Sequence, residues 1–191
     1  SHALKFDGFH DYVNLGRPVD MYDYDDASVS LWINTTDSPS SDNAIFLSND
    51  TTPANPQFSL SMKEDGRIML SGEAFSVLTE QSYNDGNWHH IVGTKENGCL
   101  TLYVDNIQYP YACGTNSMDH GVDFFLGAHR PDGDQYAFKG FITGVSFYNT
   151  NLSPEEIQQI YVGTSVPPSL VANYDFEYGE GTNLYDTFGP Y

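Results

Sequence analysis

The sequence predicts an all-β protein built from many short antiparallel strands, with one short helix near residues 153–161. Three observations predict it. Apolar residues recur at every second position, as in Val29-Leu31-Ile33 and Leu100-Leu102-Val104, which is what a sheet with one buried face requires. Turn-forming pairs punctuate the chain at Asp7-Gly8, Asp65-Gly66, Asp85-Gly86, Asn97-Gly98 and Asp132-Gly133. The 14 Tyr and 12 Phe suit pleated, half-buried surfaces, and 17 Gly with 10 Pro suit frequent tight turns.

At 191 residues the chain is long enough for one large core, so a single domain over 1–191 is expected. Ser1-His2 reads as a tag remnant, and the whole as a module excised from a longer chain. Strands are read in Ala3–Gly8, Asp11–Val13, Val29–Ile33, Trp88–Thr94 and Leu100–Asp105. The polar stretches 35–43 and 49–57 are read as rim loops. Cys99–Val104, a turn at Asp105-Asn106 and Ile107–Cys113 read as a hairpin that brings Cys99 and Cys113 nearly opposite each other. A disulfide there is the expectation, and with it an oxidising compartment. Two small buried thiols are the alternative.

The helix has its own signature. Ser153 is a candidate N-cap, Pro154 fits the first helical position, and Glu156 completes a capping box. Ile157, Ile160 and Tyr161 then make one apolar stripe that ends near Val162-Gly163. Residues 164–169 are linker-like. The segment from Leu170 to Gly189 either closes the domain or begins a following module.

Charge excludes some partners. Seven Lys and Arg stand against 26 Asp and Glu, a formal net of −19, so nucleic acid and anionic membrane surfaces are repelled. No apolar run is long enough for a membrane span, and no signal-peptide pattern is present. The acidic excess serves solubility, and part of it could gather around Ca²⁺, a hard cation that takes oxygen ligands.

In order along the chain, Ala3-Leu-Lys-Phe-Asp-Gly8, Asp11-Tyr-Val13, Val29-Ser-Leu-Trp-Ile33, Trp88-His-His-Ile-Val-Gly-Thr94, Leu100-Thr-Leu-Tyr-Val-Asp105 and Leu152-Ser-Pro-Glu-Glu-Ile157 form a set. That set resembles the laminin-G-like and pentraxin-like branch of the concanavalin A-like lectins. The resemblance implies a two-sheet antiparallel jelly-roll sandwich, a module that binds without catalysing, and Trp88 in the core with His89-His90 as framework. As strand neighbours, His89 and His90 face opposite ways and cannot share a metal ion. Sandwich glucanases of the superfamily carry Glu-x-Asp-x-Glu or Glu-x-Asp-x-x-Glu on one strand, and neither pattern occurs here. A nucleophile elbow, a zinc motif and a phosphate loop are absent as well.

The segment Leu126–Tyr136 is the candidate site. Asp132 and Asp134 flank Gly133 and can turn toward one point, with Gln135 as a further oxygen donor. Asp-Gly-Asp is also an ordinary turn. The resemblance to pentraxins implies that this loop, with Asn49-Asp50 from an earlier one, holds calcium and ligand. Relatives place a second, structural calcium near the Phe-Asp-Gly strand. Here Thr143 stands where they carry Asp, and Asp7, or Asp175 and Asp186 if the C-terminal segment closes nearby, are the carboxylates that would compensate. Tyr136 adjoins the acidic loop and is the expected platform for a sugar ring. Asn34, Asn49 and Asn151 begin sequons.

The expected function is a non-catalytic carbohydrate-binding or adhesion module of a larger secreted or cell-surface protein, assisted by Ca²⁺. Its partners would be a carbohydrate or glycoconjugate, possible protein ligands and neighbouring modules. The alternative is a structural or protein-binding spacer without glycan affinity.

Overall fold

The structure, a computed structural model, describes residues 2–19, 26–39, 44–49, 58–72, 75–114, 123–128 and 136–176. The described residues form two antiparallel sheets packed face to face. The larger sheet contains β1 (Leu4–Asp7), β13 (Lys139–Tyr148), β3 (Ala27–Asn34), β8 (Trp88–Glu96), β9 (Cys99–Val104) and β10 (Ile107–Gln108) in spatial order. Two more strands join it: β11 (Ala112–Cys113) beside β9 and β14 (Leu170–Tyr174) beside β13. The smaller sheet runs β2 (Val13–Gly16), β12 (Phe124–Leu126), β4 (Ala44–Asn49), β5 (Phe58–Met62), β6 (Arg67–Ser71) and β7 (Ser76–Ser82). This is the jelly-roll sandwich that the sequence predicts.

Period-two alternation assigns each residue to a face. Val29, Leu31 and Ile33 of β3 point inward with Leu100, Leu102 and Val104 of β9, and all six are fully buried. Phe46, Phe58, Phe124, Phe138 and Phe147 fill the space between the sheets, with Phe46 edge-on to Phe138 at 5.0 Å. Fully burying one such side chain is worth about 1.5–3 kcal/mol.

The other face of the larger sheet is partly covered. Helix α1 (Pro154–Val162) begins at Ser153, whose hydroxyl accepts from the Glu156 amide while the Glu156 carboxylate accepts from the Ser153 amide. It ends on left-handed Gly163, at φ 70°. Ile157 inserts among Val92, Tyr103, Tyr148, Leu152 and Leu170, a second small core outside the sandwich. Ser28 is buried under the same covering and is bonded to Thr150 and Leu152. β1 and β14 lie along the same strand: β1 pairs with 139–142 of β13, and β14 with 145–148.

The cysteine hairpin forms as read. Cys113 pairs with Cys99 across β9 and β11, and a disulfide joins them. Asp105 and Asn106 both take positive φ, 51° and 64°, in the turn between β9 and β10. Trp88 departs from expectation. It is 43% exposed rather than in the core, because its neighbour His89 takes the inward position and the pleat sends Trp88 out. Among the described residues no helix is long and apolar enough to cross a membrane.

Candidate functional site

Helix α1 leaves part of the outer face of the larger sheet uncovered. Its last turn stacks Tyr161 on Trp32, with ring centroids 5.7 Å apart and 11° between planes. Beyond Trp32, the strand register lines up four outward residues on four adjacent strands. Trp88 is opposite Asn34, Asn34 is opposite Phe141, and Phe141 is opposite Lys5. The Trp88 and Phe141 rings lean toward each other over Asn34, their centroids 6.5 Å apart. Both remain open to solvent, at 43% and 38%.

A cavity lies on each side of this aromatic ridge. The larger, about 660 Å³, is lined by Lys5, Asp7, Asn34, Thr36, Asp37 and Lys139, with Phe141 as its apolar wall. The smaller, about 340 Å³, lies between Trp32 and Trp88 and reaches Thr143, with His2 and Ala3 of the N-terminal segment completing its lining. Both volumes fall in the range that holds small ligands, roughly 300–1,000 Å³. Together they offer flat apolar faces beside hydroxyl, amide, carboxylate and ammonium groups. Sugar rings need that pairing, because a pyranose presents a C–H face and a rim of hydroxyls.

The floor of the larger cavity is fixed by short bonds. Asn34 donates its side-chain amide to the Gly86 carbonyl at 2.6 Å, and Gly86 N–H donates to the Thr35 carbonyl at 3.0 Å. The Thr35 hydroxyl donates to the Lys139 carbonyl at 2.7 Å and accepts from the Asp37 amide at 2.9 Å. Gly140 is obligatory here: a Cβ would sit 2.5 Å from the Asn34 carbonyl and 2.6 Å from the Phe138 ring. The Lys139 ammonium lies 3.8 Å from Asp37 across the opening.

The turn bearing Gly86 is anchored from inside the sandwich. Asp85 accepts from the Asn87 amide at 2.9 Å and from His89 Nε2 at 3.0 Å, contacts that hold its pKa down to about 2. His89 Nδ1 reaches Asp105 at 2.7 Å. Burial pulls the His89 pKa down, but the hydrogen bonds to Asp105 and Asp85 outweigh it and the net shift is upward. Only an imidazolium donates to both carboxylates at once. The Tyr83 and His89 rings stand nearly perpendicular with centroids 4.9 Å apart, and the Tyr83 and Tyr109 hydroxyls bond at 2.6 Å.

A profile of the laminin G type, described as the Concanavalin A-like lectin/glucanases superfamily, matches residues 7–158. The chain belongs to this superfamily. Solved structures of the same fold include the native heptameric SAP-like pentraxin of Limulus polyphemus, with 13% identity, TM-score 0.67, and coverage of 97% of this chain and 91% of that one. A Bacteroides ovatus ATCC 8483 protein named for carbohydrate binding shares 16% identity at TM-score 0.70, over 97% of this chain and 57% of that one. The Trypanosoma rangeli sialidase shares 16% at TM-score 0.68, over 84% of this chain and 27% of that one. At these identities the likeness is one of fold. No curated protein matches the chain in sequence.

Of the sequence-predicted site residues, the structure describes Asp7, Asn49 and Tyr136. Asp50, Asp132, Asp134 and Gln135 lie outside the described residues. The described ends of their segment both meet β4: the Ala128 carbonyl accepts from Ser48 Oγ at 3.5 Å, and Ala137 bridges Ile45. Asn49, the last residue of β4, is 4% exposed, and its side-chain oxygen is buried with no partner. An orphaned oxygen at that depth fits an oxygen-preferring cation. Tyr136 is half-buried beside the Ala137 bridge.

Asp7 is at the end of β1, opposite Lys139, and its carboxylate accepts from the Phe9 amide at 2.9 Å. The Thr143 hydroxyl is committed to the His2 carbonyl at 2.6 Å. Of the sequon residues, Asn34 and Asn49 are engaged or buried in the fold. The residues missed by sequence reasoning are Trp88 and Phe141. The signal for them was the alternation itself: an inward His89 and an inward Ile142 leave their strand neighbours facing out.

Proposed function

We propose that this chain is a non-catalytic carbohydrate-binding module of a larger secreted or cell-surface protein, and that it grips sugar on the outer face of the larger sheet. The observation that carries this reading is the exposed Trp88–Phe141 ridge with a polar cavity against Phe141. In water such rings would be better buried. Displayed over a hydrogen-bonded floor, they supply stacking area, while Asn34, Thr36, Asp37 and Lys139 supply donors and acceptors.

Calcium belongs to the proposal as a second element, away from the ridge. Asn49 would be one oxygen ligand, with Asp50, Asp132 and Asp134 as the carboxylates that complete the set and Tyr136 and Gln135 as ligand contacts nearby. Bound there, the ion would neutralise carboxylates and accept a ligand hydroxyl or carboxylate as a further oxygen donor.

A glycan array read with Ca²⁺ and with EGTA tests the function. Binding to one sugar family in either condition is the expected result, and no glycan bound in either condition overturns it. A protein-binding spacer is the second reading. Its support is a pair of exposed valines, Val162 at 57% on the last turn of the helix and Val166 at 65% in the segment that follows. A blank array would favour it.

A further inference from the structure

The two cavities flank one aromatic ridge. Trp88 closes the smaller and neighbours Phe141, which closes the larger. Along β13, Thr143 faces the first and Lys139 the second. Four residues of strand separate them, roughly 13 Å at about 3.3 Å per residue. A single sugar ring in one cavity leaves the other empty and touches only one side of the ridge. A chain of rings can rest on Trp88 and Phe141 in its middle and place a ring on either side.

Charge narrows the class further. The larger cavity carries Lys5 and Lys139 against Asp7 and Asp37, so its lining is electrically balanced. The molecule around it has a formal charge of −19. Polyanionic chains are repelled by that field at a distance and find no net positive charge on arrival. An uncharged chain meets neither cost, and its hydroxyls can use the carboxylates as acceptors and the ammonium groups as donors.

Resting on the carbohydrate reading above, we infer that the ligand is a neutral, linear glycan bound internally, straddling the Trp88–Phe141 ridge with at least one ring in each cavity. Equatorially linked pyranoses fit best, since their linkages leave both ring faces flat and open to stacking.

The test is calorimetry on the intact chain with length series, from one ring to five, of β-1,4- and β-1,3-linked gluco-, xylo- and manno-oligosaccharides. For one series the Kd should fall by at least about tenfold between two rings and four, then level off. A cello-oligosaccharide and its glucuronate counterpart of equal length form the charge arm, in which the acidic chain should bind no tighter. A monosaccharide or disaccharide that binds as tightly as the tetramer overturns the chain but leaves the carbohydrate reading intact. A tighter acidic chain overturns the neutral class alone. Absence of binding at every length overturns both the inference and the reading beneath it.

Discussion

The rings of Trp88 and Phe141 lie 6.5 Å apart although β3 stands between their strands. Strands two places apart in a sheet are separated by about 10 Å, so both side chains must lean inward over Asn34 to come this close. Asn34 permits it because its own amide is drawn down to the Gly86 carbonyl. The result is an aromatic ridge with an open top, supported from below.

Replacing either ring with alanine removes stacking area and little packing, since each is more than a third exposed. W88A and F141A should each weaken binding to the best array glycan by about tenfold or more, in line with aromatic anchors at interfaces. The melting temperature should stay within a few degrees of the parent. Calorimetry and thermal unfolding on the same samples separate the two effects. Unchanged affinity in both variants would remove the ridge from the site.

Sequence alternation made the sandwich legible: the inward sides of β3 and β9 follow directly from Val29-Leu31-Ile33 and Leu100-Leu102-Val104. Helix α1 was legible to the residue, because Ser153, Pro154 and Glu156 each answer a different unsatisfied group at a helix start. The cysteine hairpin was equally readable from its turn. Trp88 was not. The family resemblance implies Trp88 in the core, but His89, opposite the inward Ile33 and held by Asp85 and Asp105, takes the inner face and leaves the tryptophan facing out. The ridge is a property of cross-strand register, and register joins residues as far apart as Lys5 and Phe141 that no local pattern links.

The adjacent histidines should give the fold a stability maximum near pH 6.5. Burial pushes the His90 pKa down to about 4, with Asp105 opposing weakly. A depressed folded-state pKa means stability that is present above the unfolded value of about 6.5 and declines as pH falls toward 4. The loss approaches about 1.4 kcal/mol per pH unit, or about 3 kcal/mol over that window. His89 has the opposite sign: its raised pKa gives stability that is complete below about 6.5 and fades at higher pH. Urea unfolding from pH 4 to 8 reads both arms. In His90→Gln the decline on the acid side should flatten, and in His89→Gln the decline on the alkaline side should flatten. An acid arm of equal slope in parent and His90→Gln would refute the assignment.

The Cys99–Cys113 disulfide closes a loop with a sequence separation of 14. By chain entropy, a bridge over about 15 residues contributes about 3 kcal/mol. For a domain of this size that corresponds to roughly 6–12 °C in melting temperature. Reduction, or the double variant C99S/C113S, should lower Tm by that amount while the domain still folds, because the sandwich core lies inside the two sheets and does not include the bridge. A Tm that does not move would show that the hairpin is held by β9 pairing alone.

Asn49 offers the sharpest test of the calcium proposal. Its side-chain oxygen is buried without a partner, so in the absence of metal the oxygen contributes no hydrogen bond that alanine would lose. N49A should therefore keep the parent's Tm in EGTA. In the parent, free Ca²⁺ at a hundred times its Kd should add about 2.7 kcal/mol of stability, visible as a rise in Tm. The same addition should leave N49A unchanged, because the buried amide oxygen of the proposed set is gone. A parent Tm indifferent to Ca²⁺ would remove the ion from this module, and the orphaned oxygen would then be a cost that the fold carries without one.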